Sequence, residues 1–180
     1  MRRKMFVAAA LAAVAFAAPA HAQSVLPFAV EGRAGLAFPT GDFGESLGMG
    51  YGLGANVSFA VAPTLALYGG YSYTQFDYDQ DIVDTDETLD VQGFEGGARL
   101  GLPMVGFSPY LKGGAVYFKS SGGGIESENQ LGFTVGAGLN YALGPVVAFT
   151  PEVTYVTVPG RDNTTDANFI RADVGLRFRL

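Results

Sequence analysis

The sequence predicts an all-β fold, an eight-stranded antiparallel up-and-down transmembrane β-barrel, from three observations. Beyond residue 22 the chain reads as eight segments in which apolar and polar side chains alternate with the two-residue period of a strand. The breaks between those segments alternate between short and long, the layout of a barrel with tight turns on one side of a membrane and loops on the other. No run of 18 apolar residues follows residue 22. Such a chain can span a bilayer only if its strands close on themselves and so satisfy every backbone N–H and C=O.

The first 22 residues stand apart. Arg2, Arg3 and Lys4 precede an apolar run over 5–18, and Ala20, His21 and Ala22 supply the small-x-small pattern that signal peptidase needs. Residues 1–22 are expected to be a cleaved secretory signal peptide and 23–180 a single barrel domain. A single membrane helix fits less well, because the run is shorter than the ~20 residues a span needs and is mostly alanine. Cleavage removes His21, the only histidine, and leaves a mature chain with no histidine, cysteine or tryptophan. Disulfides, thiolate zinc sites and histidine acid–base catalysis are thereby excluded. Three basic residues leave with the signal, moving the formal net charge from −6 to −9.

The segments follow in order. In the first, 29–38, Val30, Ala34, Leu36 and Phe38 oppose Glu31, Arg33 and Gly35; in the second, 51–61, Tyr51, Leu53, Ala55, Val57, Phe59 and Val61 oppose Gly52, Gly54, Asn56, Ser58 and Ala60. The third, 65–74, sets Leu65, Leu67, Tyr71 and Tyr73 against Tyr68, Gly70, Ser72 and Thr74. In the fourth, 89–102, Phe94, Ala98, Leu100 and Leu102 face away from Glu95, Gly97 and Arg99, but Asp90 and Gln92 are out of phase, which suggests a bulge or a strand rising clear of the membrane. The fifth, 108–118, opposes Leu111, Ala115 and Tyr117 to a mixed face of Tyr110, Lys112, Gly114 and Val116. The sixth, 131–143, alternates most cleanly, with Leu131, Phe133, Val135, Ala137, Leu139, Tyr141 and Leu143 opposite Gly132, Thr134, Gly136, Gly138 and Asn140. The seventh, 147–157, sets Phe149, Val153 and Tyr155 against Thr150, Glu152 and Thr154; in the eighth, 169–180, Ile170, Ala172, Val174, Leu176, Phe178 and Leu180 alternate with Phe169, Arg171, Asp173, Gly175, Arg177 and Arg179.

Tight turns are expected at 62–64, 103–106 and 144–145, and longer polar loops at 39–50, 75–88, 119–130 and 159–168. A basic residue facing lipid near the midplane costs ~2 to 4 kcal/mol, so Glu31, Arg33, Glu95, Arg99, Lys112, Glu152, Arg171, Asp173 and Arg177 should point inward and pair there. Eight strands leave a lumen just wide enough for its own side chains, with inward glycines making room for arginine and tyrosine, so no wide channel is expected. Phe38, Tyr51, Tyr73, Tyr117, Phe133 and Tyr155 should form one interfacial girdle, and Phe59, Phe107, Tyr141, Phe149 and Phe178 the other.

The final segment, with Asp173, Gly175, Phe178 and the terminal Leu180, resembles the C-terminal targeting strand of bacterial outer-membrane β-barrels, many of which end in phenylalanine instead. Glu31-Gly32-Arg33-Ala34-Gly35, Pro39-Thr40-Gly41-Asp42-Phe43, Gly93-Phe94-Glu95-Gly96-Gly97-Ala98-Arg99 and Ser108-Pro109-Tyr110 extend the likeness over 23–180. The chain is similar to the outer membrane protein β-barrel domain superfamily, which includes the barrel half of OmpA, the OmpX and Ail-like proteins and the opacity proteins. The resemblance implies the Gram-negative outer membrane, with periplasmic chaperones and the barrel-assembly machinery as biogenesis partners, lipopolysaccharide as a neighbour and no shared catalytic residues. Unlike OmpA, the sequence stops after the eighth segment, so no periplasmic peptidoglycan-binding domain is expected.

Thirteen of the seventeen acidic residues fall in the long breaks or at their edges, against only Lys119 and Arg161, giving the loops a net charge of −11. The densest run, Asp77, Asp79, Asp81, Asp84, Asp86, Glu87 and Asp90, opens like a calcium loop, but Ile82 stands where the turn needs glycine and Thr88 where a bidentate carboxylate belongs. A solvated acidic loop is the better reading, with diffuse divalent-cation bridging to lipopolysaccharide between the two. The acidic balance argues against nucleic acid, and Asn163-Thr164-Thr165 is treated as a chance glycosylation sequon. Small barrels that are lipid-modifying enzymes or proteases use histidine, so Glu31, Glu95, Glu152 and Asp173 are read as ion-pair partners rather than a carboxylate site. No catalytic, cofactor-binding or metal residue is assigned. The expectation is a non-enzymatic membrane anchor presenting four acidic loops; a narrow pore, and an adhesin or immune-evasion protein binding a host factor, are the alternatives. A soluble lipocalin-like carrier would put its apolar residues inside.

Overall fold

The computed structural model describes residues 27–45, 47–78, 88–102, 104–122, 125–159 and 166–180. All eight alternating segments are strands: β1 (Phe28–Thr40), β2 (Leu47–Ala62), β3 (Leu65–Tyr78), β4 (Thr88–Gly101), β5 (Phe107–Gly122), β6 (Ile125–Ala142), β7 (Val147–Val158) and β8 (Ala167–Arg179). Each pairs antiparallel with the next, and β8 returns to β1 with Ala29 opposite Arg179 and Thr40 opposite Asn168, so the barrel is closed and exposes no sheet edge. The expected signal peptide lies outside the described residues.

The faces fall as the alternation requires. Val30, Leu53, Val57, Leu67, Leu111, Val135, Leu139, Val153 and Val174 are exposed on the outer wall, the inverse of a lipocalin-like carrier, while Glu31, Arg33, Glu95, Arg99, Lys112, Glu152, Arg171 and Asp173 are buried within. The aromatic side chains expected at the two interfaces point outward, and Phe28 adds to the lower set by packing on Phe59 with ring centroids 4.9 Å apart.

One expectation loses one of its two alternatives and a second needs correction. The register of β4 with both neighbours is unbroken through Asp90 and Gln92, so there is no bulge there. The strand keeps its two-residue period and its polarity reverses instead, with Leu89 and Val91 buried inside and Asp90 and Gln92 outside. The long break expected at 119–130 is mostly strand: β5 runs to Gly122, β6 resumes at Ile125, and Lys119 pairs with Asn129. The other loops shorten in the same sense, since β2 begins at Leu47 and β3 continues to Tyr78. Polar outward residues look like loop when lipid is assumed outside every strand; once a strand has left the lipid, backbone pairing continues and only the outer solvent changes.

The interior therefore has two levels. From the short-turn end to mid-barrel it is charged. Towards the loops it becomes a cluster of Ala37, Leu47, Phe76, Leu89, Val91, Val116, Phe118, Val156, Val158 and Phe169. A 3-10 turn, Gly41–Glu45, joins β1 to β2 across this end and brings Phe43 edge-on to Phe76 at 5.6 Å. It starts at Gly41 with φ 64°, where a side chain would be strained.

Candidate functional site

The lower lumen is one ion-pair network from five strands. Glu152 on β7 is its hub: Lys112 Nζ lies at 2.5 Å, Arg33 Nη1 at 3.5 Å and Arg99 Nη2 at 3.6 Å from its carboxylate. The Tyr110 hydroxyl donates to the same carboxylate at 2.8 Å and that of Thr154 at 2.9 Å. Glu95 on β4 pairs with Arg33, with Arg171 at 3.5 Å and with Lys112 at 3.9 Å. Glu31 on β1 takes Arg99 at 3.1 Å, Arg177 at 3.6 Å and a hydrogen bond from Asn56 Nδ2 at 3.3 Å. Asp173 receives Arg171 Nε at 2.6 Å, and Arg177 Nη2 donates to Ser58 Oγ at 2.8 Å.

All nine side chains expected inward meet in this network, each with at least one partner of opposite charge. An isolated charge buried in so small a lumen would cost several kcal/mol, which explains why cations and carboxylates interleave here. Arg179, at the short-turn end of β8, is exposed. The polar partners Asn56, Ser58, Tyr110 and Thr154 were legible only as members of polar faces; nothing in their spacing marks them as ligands of particular charges.

Aromatic rings complete the filling. The Arg99 guanidinium carbon stands 3.6 Å from the centroid of Tyr110, and Lys112 Nζ is 5.4 Å from that of Tyr68. Inward glycines make the room: a Cβ on Gly138 would collide with the Tyr110 ring, and one on Gly54 would stand 2.9 Å from Arg33 Nε. The four interior carboxylates are each held by cations, an arrangement that stores charge in place rather than presenting it to a substrate. Among the described residues, no three His, Cys, Asp or Glu side chains converge as a metal site. Most of the acidic run expected to bridge divalent cations, and the sequon at Asn163, lie outside the described residues.

Above the charges the apolar cluster packs inside the barrel, with Phe76 meeting Phe169 edge-on at 5.4 Å and Phe118 at 6.4 Å from Phe169. The sequence left this plug unassigned; its signals were the phase reversal at Leu89 and Val91 and the apolar Val116 and Phe169 on otherwise polar faces. On the outer wall at the same level the polarity is reversed. The Tyr73 hydroxyl donates to Asp90 at 2.8 Å, that of Tyr51 to Gln75 at 2.8 Å and that of Tyr71 to Gln92 at 2.8 Å.

Residues 7–178 match the family model described as the outer membrane protein beta-barrel domain. No curated protein matches in sequence at the significance required. Among solved structures, the chain is similar to Neisserial surface protein A (TM-score 0.70, 15% identity, covering 88% of this chain and 100% of that one). OprG from Pseudomonas aeruginosa follows with a TM-score of 0.60 and 12% identity over 85% of this chain and 95% of its own. The attachment invasion locus protein Ail of Yersinia pestis gives a TM-score of 0.54 and 15% identity over 84% and 97%, and has also been solved with the heparin analogue sucrose octasulfate. At these identities the likeness is one of fold.

Proposed function

The chain belongs to the outer membrane protein beta-barrel domain family, and from that premise we propose that it is a sealed, non-enzymatic outer-membrane anchor that presents loops at the cell surface. The observation that carries this reading is the two-level filling of the lumen, a paired charge network beneath an apolar plug. Water and ions would have to displace both to pass. A signal peptide cleaved after Ala22, biogenesis through periplasmic chaperones and the barrel-assembly machinery, and lipopolysaccharide as a lipid neighbour belong to the same proposal. Planar-bilayer recordings of the full chain test it: no conductance steps are expected, and reproducible openings would overturn the sealed anchor in favour of a narrow pore.

Loop-mediated binding at the cell surface is the second reading, favoured by the solved complex of Ail with a heparin analogue. Here the loops carry a sequence charge of −11, so a polysulfated ligand would be repelled, and any partner of these loops would be basic or bridged by divalent cations. Pull-down of a polylysine probe, weakened by salt and by deletion of 79–87, is the expected result; equal binding to sucrose octasulfate would refute the charge argument.

A further inference from the structure

The charges of the lower lumen are unevenly shared. Glu95, Glu152 and Asp173 lie among Arg33, Lys112 and Arg171, three carboxylates to three cations. Nearer the short turns Glu31 serves both Arg99 and Arg177, which approach the same Oε2 at 3.1 and 3.6 Å, and Arg179 follows on the same face of β8. Arg99 also reaches Glu152 at 3.6 Å, a carboxylate that Lys112 and Arg33 already share. The sequence has no further acidic side chain for this mouth, since residues 1–26 and Pro103 contain none and the other thirteen belong to the long breaks. Even with a carboxylate on Leu180 counted, Arg99, Arg177 and Arg179 leave one positive charge in excess.

Around these arginines there is room, and there are donors to spare. The register partner of Arg177 on β7 is Ala148, that of Arg99 on β3 is Ala66 and that of Arg179 on β1 is Ala29, so on one side of each only a methyl group stands. Arg177 Nη1 is buried with no hydrogen-bond acceptor among the described residues, while its Nη2 donates to Ser58 Oγ at 2.8 Å. Thr150, the next inward position along β7 from Ala148 and so diagonal to Arg177, has a buried hydroxyl that is likewise unpartnered among the described residues. The Tyr110 ring lies against the face of the Arg99 guanidinium at 3.6 Å and leaves its N–H edge for an acceptor. Two planar forks meeting beside a free hydroxyl suit a tetrahedral oxyanion, whose several oxygens can accept from both, better than a spherical halide.

We propose that the short-turn mouth of the lumen binds a phosphate group. Arg177 and Arg99 grip its oxygens, Thr150 donates a further hydrogen bond, and Arg179 closes over it from the rim. Free phosphate and the head group of a phospholipid in the adjoining leaflet carry the same chemistry; only the second source rests on the membrane reading above.

The test is isothermal titration of inorganic phosphate into the full chain in dodecyl maltoside micelles, in Tris chloride so that a halide is already in excess. A second arm measures, by native mass spectrometry, retention of phosphatidylglycerol added to the same micelles. Binding of one phosphate group per chain is expected, weakened at least about tenfold in Arg177→Gln, which loses a charged hydrogen bond. Arg179→Gln should weaken it only about two- to threefold, since a screened rim charge is worth less. Ala60→Glu puts a carboxylate on an exposed inward position of the same mouth and should abolish binding while leaving every ion pair in place. A saturating phosphate isotherm supports the site as one for the free ion, and retained lipid without such an isotherm supports it as one for a head group. Neither signal, or undiminished binding in both Arg177→Gln and Ala60→Glu, would overturn it. A heat-modifiable band on SDS gels, required of each variant, separates these failures from failure of the barrel reading itself, which would show as no such band in the unsubstituted protein.

Discussion

The lower and upper halves of the lumen solve the same problem in opposite ways. Below, lipid surrounds the barrel and strips the outer wall of polar groups, so the alternation of each strand sends every charge inside. Since lipid tails are as apolar as leucine, burying apolar side chains there would gain little, and ion pairs fill the space instead. Above, water wets the outer wall, the polar residues turn outward, and the interior reverts to the apolar packing of a soluble protein, driven by the hydrophobic effect. One backbone with one register carries both. The environment of the outer face therefore decides the chemistry of the inner one.

The sharpest way to break the contrast is to remove one charge below. Glu152→Leu leaves Lys112, Arg33 and Arg99 without their shared carboxylate and should destabilise the barrel by about 4 kcal/mol. The check is the urea midpoint in detergent micelles. Adding Lys112→Leu should recover part of the loss, as removing both partners of a buried pair costs less than removing one; no recovery would mean the hub is held by its tyrosine and threonine hydrogen bonds instead.

The matching cut above is Phe76→Ala, which empties the centre of the plug. A loss of about 3 kcal/mol is expected, at the low end for phenylalanine truncation because Phe43 on the 3-10 turn can settle into the space. Unlike Glu152→Leu, its cost should not change with salt, a difference that differential scanning calorimetry in high and low salt would reveal.

The outer wall offers a third comparison. Val135→Arg faces the lipid and should cost at least about 2 kcal/mol, whereas Asn129→Arg on the same strand, above the aromatic girdle, should cost about 0 to 1 kcal/mol. Equal penalties in vesicle-based unfolding would move the membrane boundary upward and dissolve the two-level picture. The smallest loss expected inside the lumen is that of Gly138→Ala, at about 1 to 2 kcal/mol, as its methyl displaces Tyr110 and with it the hydrogen bond to Glu152. Loss of the near-ultraviolet tyrosine circular dichroism would accompany it.

How much of this was legible follows from what alternation encodes. Strict period-two runs such as 131–143 fixed strand identity and facing, and the placement of Glu31, Arg99 or Asp173 followed from the cost of charge in lipid alone. Leu89, Val91 and Lys119 were harder, because facing was inferred on the assumption of lipid outside every strand. Where that assumption lapsed, a continuing strand left a bulge as one of two alternatives at Asp90 and looked like a loop at 119–130.

The sequence by itself thus determined the barrel class, the number and order of strands, and which charges lie inside, since each follows from local period and solvent polarity. Only the tertiary structure decided which charge meets which, how far strand pairing continues towards the loops, and that phenylalanines from β3, β5 and β8 converge as a plug. Those outcomes depend on the stagger of strands distant in the chain, and closing the barrel is what sets that stagger.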